Sequence, residues 1–392
     1  MKIIRVDAFV IRLPFRFSFG HSIASRAYSD NLIVRIELED GSIGFGEGIP
    51  REYVTGETID GALIDVSSLA SKLRGQEADD FQSVTQLIDN LIALEDLTNR
   101  RSGAAFSAVE LALLDAYGQA FKTPVAMELG TIRQESVQYG SVIPFGNKKA
   151  MLALLWFYKV WGFKTVKLKV GGTLEDDLAK LKLVRQIMGK NAIIRVDANC
   201  AWTVDQTIAA ADKFQIFNVA SIEQPIKADD IAGLAKITAN VQQEIVVDES
   251  LCTMADAKNL IEQKACGAFN IRISKVGGLL LARSMAQLAR DSGLAVHMGA
   301  QVGESAILTA AGRIFAAIEP PCSNYEGSNN SWLLHQDISR ENLTVSLRGR
   351  GNIKLANGLG LNILQSRIKD LTIKQMPDAH ATDKMPLSTK LE

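Results

Sequence analysis

From about residue 138 to residue 327 the chain repeats one pattern, a short β-rich run followed by a stretch with helical spacing. The runs are "VQYGSVIPFG" (137–146), "TVKLKVGG" (165–172), "AIIRVDANCAW" (192–202) and "VASIEQPI" (219–226). They continue with "EIVVDESL" (244–251), "AFNIRISKVGG" (268–278), "LAVHMGAQVGES" (294–305) and, weakest, "CSNYEG" (322–327). Helix starts follow several of them. Thr203 and Gln206 have capping-box spacing, and "TLEDD" (173–177) puts a threonine and then acids where a helix N-terminus favours them. Eight strand–helix units at intervals of roughly 22–30 residues predict an α/β fold of the (β/α)8-type barrel kind. An open doubly wound sheet would want a glycine-rich dinucleotide turn after an early strand, and the sequence has none. A GxxxxGK[ST] phosphate loop is also missing.

The flanks read differently. Residues 1–50 suggest antiparallel strands, with Asp40-Gly41 as a hairpin turn, and 59–121 suggest helices. Strands first and helices after make an α+β unit. Near the other end, "GRGNIKLANGLGLNI" reads as loops and a short strand packing back on that unit. The expected division is an α+β capping domain (1–130), a barrel (131–335), a C-terminal segment returning to complete the cap (336–376) and a flexible polar tail (377–392).

Composition narrows the partners. A net charge of −1 leaves no basic footprint for nucleic acid. No apolar run approaches the ~20 residues of a membrane span. "MKIIRVDAFVIRLP" alternates like a strand rather than a signal peptide. Cys200, Cys252, Cys266 and Cys322 are scattered without a CxxC pair, so a reduced, cytoplasmic setting is expected.

Barrel active sites form at the C-terminal ends of the strands. The last charged residues of successive runs are Lys167 and Lys169, then Asp197, Glu223, Asp248 and finally Lys275. Residues two apart on a strand share a face, so Lys167 and Lys169 would put two ammonium groups together. Taken singly, each acid could cap a turn or pair with a surface lysine. Three at consecutive strand ends, flanked by lysines, call for a cation. Hard oxygen ligands without His or Cys select Mg²⁺, with Mn²⁺ able to substitute. A divalent cation stabilises the charge that develops when a proton α to a carboxylate is removed. A lysine beside a cation and a second ammonium can have its pKa lowered enough to serve as the base.

The ordered set "KLK" (167–169), "DAN" (197–199), "EQP" (223–225), "DES" (248–250) and "SKVGG" (274–278) resembles the enolase superfamily, within it the muconate lactonizing enzyme subgroup. "GES" (303–305) resembles the seventh-strand glutamate motif, and "GFGEG" and "NGLGLNI" resemble the capping domain. The resemblance implies a Mg²⁺-dependent isomerase acting through an enediolate, and a homo-oligomer. It makes Asp197, Glu223 and Asp248 the metal ligands, and Lys169 and Lys275 the acid/base pair. Lys167 would polarise the substrate carboxylate. Glu304 and Asn199 would lie beside the substrate. His297 is read as a barrel-interior residue, because position 275 is Lys where a related subgroup uses His.

Members of the subgroup racemise N-acylated amino acids, epimerise dipeptides, cycloisomerise muconates or form o-succinylbenzoate by elimination. The resemblance therefore implies a racemase/epimerase or cycloisomerase, with a lyase as the alternative and a non-catalytic carboxylate-binding barrel as the reading from another class. Substrate choice would rest on the eighth strand end and on the loops 16–26 and 49–58, which offer His21, Arg26, Arg51 and Tyr53. Dipeptide epimerases of the family commonly carry Asp-X-Asp at the eighth strand end to hold an α-ammonium. Here "SNYEG" offers Glu326 alone, which weakens the dipeptide reading.

Overall fold

The computed structural model describes residues 1–20 and 25–376, with backbone alone at 18–20 and 25–26. His21 and the expected tail lie outside the described residues. β1 (Ile3–Gly20), β2 (Ser25–Leu38) and β3 (Ile43–Gly48) form an antiparallel meander. The β2–β3 turn falls at Asp40-Gly41 as expected, with Gly41 at φ 85°.

The glycines of "GFGEG" have a packing reason. Gly44, Gly46 and Gly48 share one face of β3, against the helix Gly103–Ala120. A Cβ on them would lie 2.1, 1.9 and 1.8 Å from backbone atoms of Ala116, Ala108 and Ala104. Strand and helix therefore meet backbone to backbone, which only glycine permits. The helix is buried over almost its whole length.

The next strands are β4 (Ser136–Gln138), β5 (Ser141–Ile143), β6 (Thr165–Lys169), β7 (Ile193–Asp197) and β8 (Val219–Glu223). They are followed by β9 (Glu244–Val247), β10 (Ala268–Ile271), β11 (Ala295–Met298) and β12 (Asn324–Tyr325). β5 to β12 make one sheet of eight strands in sequence order, all parallel. The sheet curls until Gly140 N–H, just before β5, donates to Tyr325 O on β12 at 2.9 Å. All eight expected runs thus appear as strands, each shorter than its run. The sixth differs most. β10 ends at Ile271, and Lys275 rides on a helical turn, Ile273–Val276, closed by Gly277 at φ 96°.

The C-terminal segment departs in part from expectation. β13 (Arg350–Asn352) pairs with β4, beside the start of the barrel, and not with the N-terminal unit. The return to the cap is made by β14 (Thr372–Gln375), which adds an antiparallel edge to β1. "NGLG" does meet the cap, because Leu359 N–H donates to Asp115 Oδ1 at 2.9 Å.

Two buried carboxyls fix the cap on the barrel. Glu47 accepts from Ser305 Oγ (2.7 Å), Ser305 N (3.0 Å) and Leu308 N (3.1 Å) at the start of the helix Ala306–Ile318. Glu110 accepts from Leu279 N and from Leu280 N (2.9 Å) at the start of the helix Leu279–Asp291. Each meets the orphan N–H groups and positive end of a helix. Burial pushes Glu47 up to about 7 and Glu110 up to about 8. Among the described residues no helix is long and apolar enough to cross a membrane.

Candidate active site

The charged residues gather at the C-terminal mouth of the barrel, because each stands at or just beyond a strand end. Register puts Lys169 beside Asp197 and Asp197 beside Glu223. Asp248 follows β9, and Lys275 follows β10. Lys169 and Lys275 therefore come from the second and sixth of eight strands, half a turn apart, with the three acids on the strands between them. Asn199 and Gln224, just past β7 and β8, hold left-handed φ of 44° and 35°. Such conformations in non-glycine residues cost about 1–3 kcal/mol and cluster at functional sites. At Asn199 the turn folds the side chain back so that its Oδ1 accepts from Lys169 Nζ at 2.5 Å.

The network is dense and buried. Lys169 Nζ donates to Asp197 Oδ2 at 2.6 Å. Lys167 Nζ donates to both Glu223 oxygens at 3.1 Å and to Glu326 Oε2 at 2.6 Å. Lys275 Nζ donates to Asp248 Oδ1 (2.8 Å), Asp248 O (2.6 Å) and Asn270 O (3.0 Å). Arg195 and Arg272 were not singled out from the sequence. Arg195 reaches Glu223 Oε2 (3.0 Å) and Glu326 Oε1 (2.6 Å), and Arg272 pairs with Asp248 and with Gln301 Oε1 (3.0 Å). The period-two rule that picked out Lys167 would also have found Arg195, two residues before Asp197, and Asn270, which donates to Glu223 Oε1 at 2.9 Å.

Titration follows these contacts. Burial raises the Asp197 carboxyl, but Lys169 and Lys167 outweigh it and hold the acid well below the usual range. Burial and then the charge of Asp197 push Glu223 up to about 8. For Lys167, burial works against the charge, and Glu223, Glu326 and Asp197 reverse that and raise its pKa. His297 lies inside the barrel as expected. Arg195 has only donors, so His297 Nδ1 accepts from it at 2.8 Å. The ring proton then sits on Nε2 and faces Glu244 Oε2 at 3.1 Å.

A cavity of about 500 Å³ opens above this floor. Lys167, Lys169, Asn199, Glu304, Glu326 and Tyr53 all line it. Asp197, Glu223, Asp248 and Lys275 are fully buried beneath. Arg51 lies away from the cavity wall, 3% exposed, and donates to Ser29 Oγ (2.6 Å), Val302 O (3.1 Å) and Pro50 O (3.1 Å). These contacts tie the cap loops to the seventh-strand loop. The Arg26 side chain and His21 are outside what is described.

The donor set suits a hard divalent cation. Asp197, Glu223 and Asp248 offer carboxylate oxygens from three adjacent strands, and burial, then the charge of Asp197, raises the Glu223 pKa, which a bound cation would lower. Two further buried oxygens nearby, Glu249 Oε2 and Asn270 Oδ1, have no hydrogen-bond partner. Among the described residues no three acids, His or Cys stand together as a preformed cage. Each acid is drawn instead onto an ammonium or guanidinium group.

Comparisons with known proteins bear on the family and the fold. Residues 2–130 match the N-terminal domain of mandelate racemase/muconate lactonizing enzyme, and 153–367 match the enolase C-terminal domain-like family. The L-Lys-D/L-Arg epimerase of Methylococcus capsulatus is 30% identical over 361 residues, 91% of this chain and 97% of its own. The structure of N-succinyl Arg/Lys racemase from Bacillus cereus superposes with a TM-score of 0.88 at 27% identity, over 96% of this chain and 99% of that one. A dipeptide epimerase from Enterococcus faecalis, complexed with Mg and L-Leu-L-Tyr, gives 0.85 at 26%, over 92% and 100%. Fold and relatives together define the class, an isomerase of the enolase superfamily. Within it, the chain belongs to the mandelate racemase/muconate lactonizing enzyme family.

Proposed function

We propose that this chain is a racemase or epimerase of an α-substituted carboxylic acid, an amino-acid derivative, using Lys169 and Lys275 as the two proton-transfer groups. The observation that carries the reading is their placement on opposite sides of the barrel, with Asp197, Glu223 and Asp248 on the strands between. Asp197, Glu223 and Asp248 would hold Mg²⁺, or Mn²⁺ in its place, which would supply positive charge next to the substrate carboxylate.

The chain's own groups do the rest. Lys167, anchored on Glu326 and Glu223, holds a fixed positive charge beside Lys169 and toward the substrate carboxylate. One lysine takes the α-proton from one face as a neutral amine. The other, as an ammonium, returns a proton to the opposite face, which inverts the centre. Glu304, Asn199 and Tyr53 line the cavity in which the rest of the substrate would sit. The four cysteines are free, in keeping with a reducing cytoplasm.

The test is incubation with Mg²⁺ and a library of N-substituted amino acids in D₂O. Solvent deuterium entering the α-position, together with inversion, is expected for at least one of them. A broad library with no exchange at any α-carbon would end the proposal.

A further inference from the structure

The loop 49–58 brings Tyr53 and Val54 to the cavity wall, and both of its ends are fastened close to Lys275. At its start, Ile49 N–H donates to Ser274 Oγ at 2.7 Å. Ser274 is fully buried and immediately precedes Lys275 on the turn Ile273–Val276. Toward its far end, Glu57 Oε1 accepts from Ala104 N–H at 2.8 Å. Ala104 is the second residue of the helix Gly103–Ala120, and Gly103 is where that helix rests on the backbone of Lys275.

Glu57 takes a place that the helix leaves open. The first N–H groups of a helix have no partner within it, and the N-cap side chain usually accepts from one of them. Ser102 holds that position here, at φ −130° and ψ 32°, and its side chain makes no such bond. The helix has no acid in its first turn either. The carboxyl that meets its positive end comes instead from the loop, 47 residues earlier in the chain. Burial pushes the Glu57 carboxyl up to about 7, which sets it apart from a solvated surface acid.

Between the two fastenings the loop has little slack. Thr55 Oγ1 donates to Arg51 O and accepts from Glu57 N–H, both at 3.3 Å. Gly56, at φ 81°, closes the short helix Glu52–Thr55. Thr58 caps the next helix by accepting from Gly61 N–H at 3.0 Å. Moving Glu57 would therefore move Tyr53 and Val54 with it.

We infer that Glu57 is a positioning residue: by capping the helix that backs Lys275, it holds Tyr53 and Val54 against the cavity and keeps that wall in register with the Lys275 turn, with Ser274 as the second clasp. Glu57 is not among the residues that line the cavity, and it acts through the loop and through Gly103. What concerns Lys275 rests on the racemase/epimerase reading above, and what concerns the loop does not.

The test compares Glu57→Ala, Glu57→Gln and Ser274→Ala in the full chain. Amide hydrogen exchange needs no turnover. It reads Val54, Thr55, Gly56 and Glu57, whose N–H groups are hydrogen-bonded within the loop, together with Ala104. In Glu57→Ala these amides should exchange about fivefold faster, the factor that corresponds to losing one helix cap, while those of β2 and β3 keep the parent rate. Glu57→Gln keeps an oxygen for Ala104 N–H and should restore most of the protection. Ser274→Ala should loosen the same loop. With a substrate that the parent racemises, Glu57→Ala should raise KM about fivefold for both enantiomers. It should also lower kcat about tenfold further for the enantiomer served by Lys275, identified with Lys275→Ala, than for the one served by Lys169. A lower melting temperature with loop exchange, KM and the enantiomer ratio unchanged would make Glu57 a structural cap only and overturn the inference. Glu57→Gln no better than Glu57→Ala would also overturn it, because the hydrogen bond to Ala104 would then not be the clasp. If Glu57→Ala does not fold, unchanged loop exchange in Ser274→Ala overturns it. A parent that exchanges no α-proton across a broad library ends the racemase/epimerase reading, and amide exchange still decides the clasp.

Discussion

Gly103 links the cap to the chemistry, and its replacement by alanine separates the two lysines without touching either. Gly103 is the first residue of the long cap helix and sits against the turn that carries Lys275. A Cβ there would lie 2.1 Å from Lys275 O and 2.7 Å from Lys275 C, where ordinary contact begins at 3.4 Å. Both partners are backbone, so no side chain can rotate away. The helix and the turn must separate by roughly 1 Å, and overpacking of this kind costs about 1–3 kcal/mol. Alanine's better helix propensity returns about 1 kcal/mol at most. The fold should therefore survive, with a shifted Lys275. A misplacement of about 1 Å can cost on the order of 10²-fold in rate. The assay is α-proton exchange from each enantiomer separately in Gly103→Ala. Exchange from the enantiomer served by Lys275, identified with Lys275→Ala, should fall about 10²-fold. Exchange from the one served by Lys169 should fall far less. Equal losses for both, or no loss for either, would refute the argument that this contact positions Lys275.

Further outcomes follow from the same structure. Glu223→Gln removes one charge from the proposed ligand set while keeping the side chain's size, so Mg²⁺ affinity measured by calorimetry should drop at least tenfold with circular dichroism unchanged. Normal Mg²⁺ affinity would remove Glu223 from the ligands. Glu110, held at about 8 in the folded chain by burial, contributes to the pH response together with the raised carboxyls Glu47, Glu57 and Glu304. Between its ordinary value near ~4.5 and 8 the folded state keeps a proton that the unfolded state has lost, so stability falls as pH rises through that window. Glu110→Gln should flatten this fall, which is on the order of a few kcal/mol, in thermal melts at pH 5 and pH 8. An unchanged difference between the two pH values would mean that Glu110 contributes nothing to it.

Much of this architecture could be read in advance because barrel strands carry period-two patterns and end in charged residues. Lys167, Lys169, Asp197, Glu223, Asp248 and Lys275 were all legible that way. Arg195 was passed over because it precedes the strand end, although its spacing from Asp197 assigns it to the same face. Arg272 was hidden because β10 stops at Ile271, and the chain's turn there brings the guanidinium back to Asp248. The surroundings of Arg51 were not legible either. Its hydrogen bonds to Ser29, 22 residues away, and to Val302, 251 residues away, depend on how the chain folds and are not written in the loop itself. The pairing of β13 with β4 is likewise a long-range choice that a short polar strand does not announce.

The account depends most on a lysine at each face of the α-carbon. The most direct measurement is stereospecific exchange in D₂O with Lys169→Ala and Lys275→Ala, using each enantiomer of a substrate that the parent racemises. Each variant should lose exchange from one enantiomer by about 10²–10⁴-fold and keep measurable exchange from the other. The two variants should show opposite preferences, and neither should racemise. Exchange from both enantiomers at the parent rate in both variants would contradict the two-lysine mechanism.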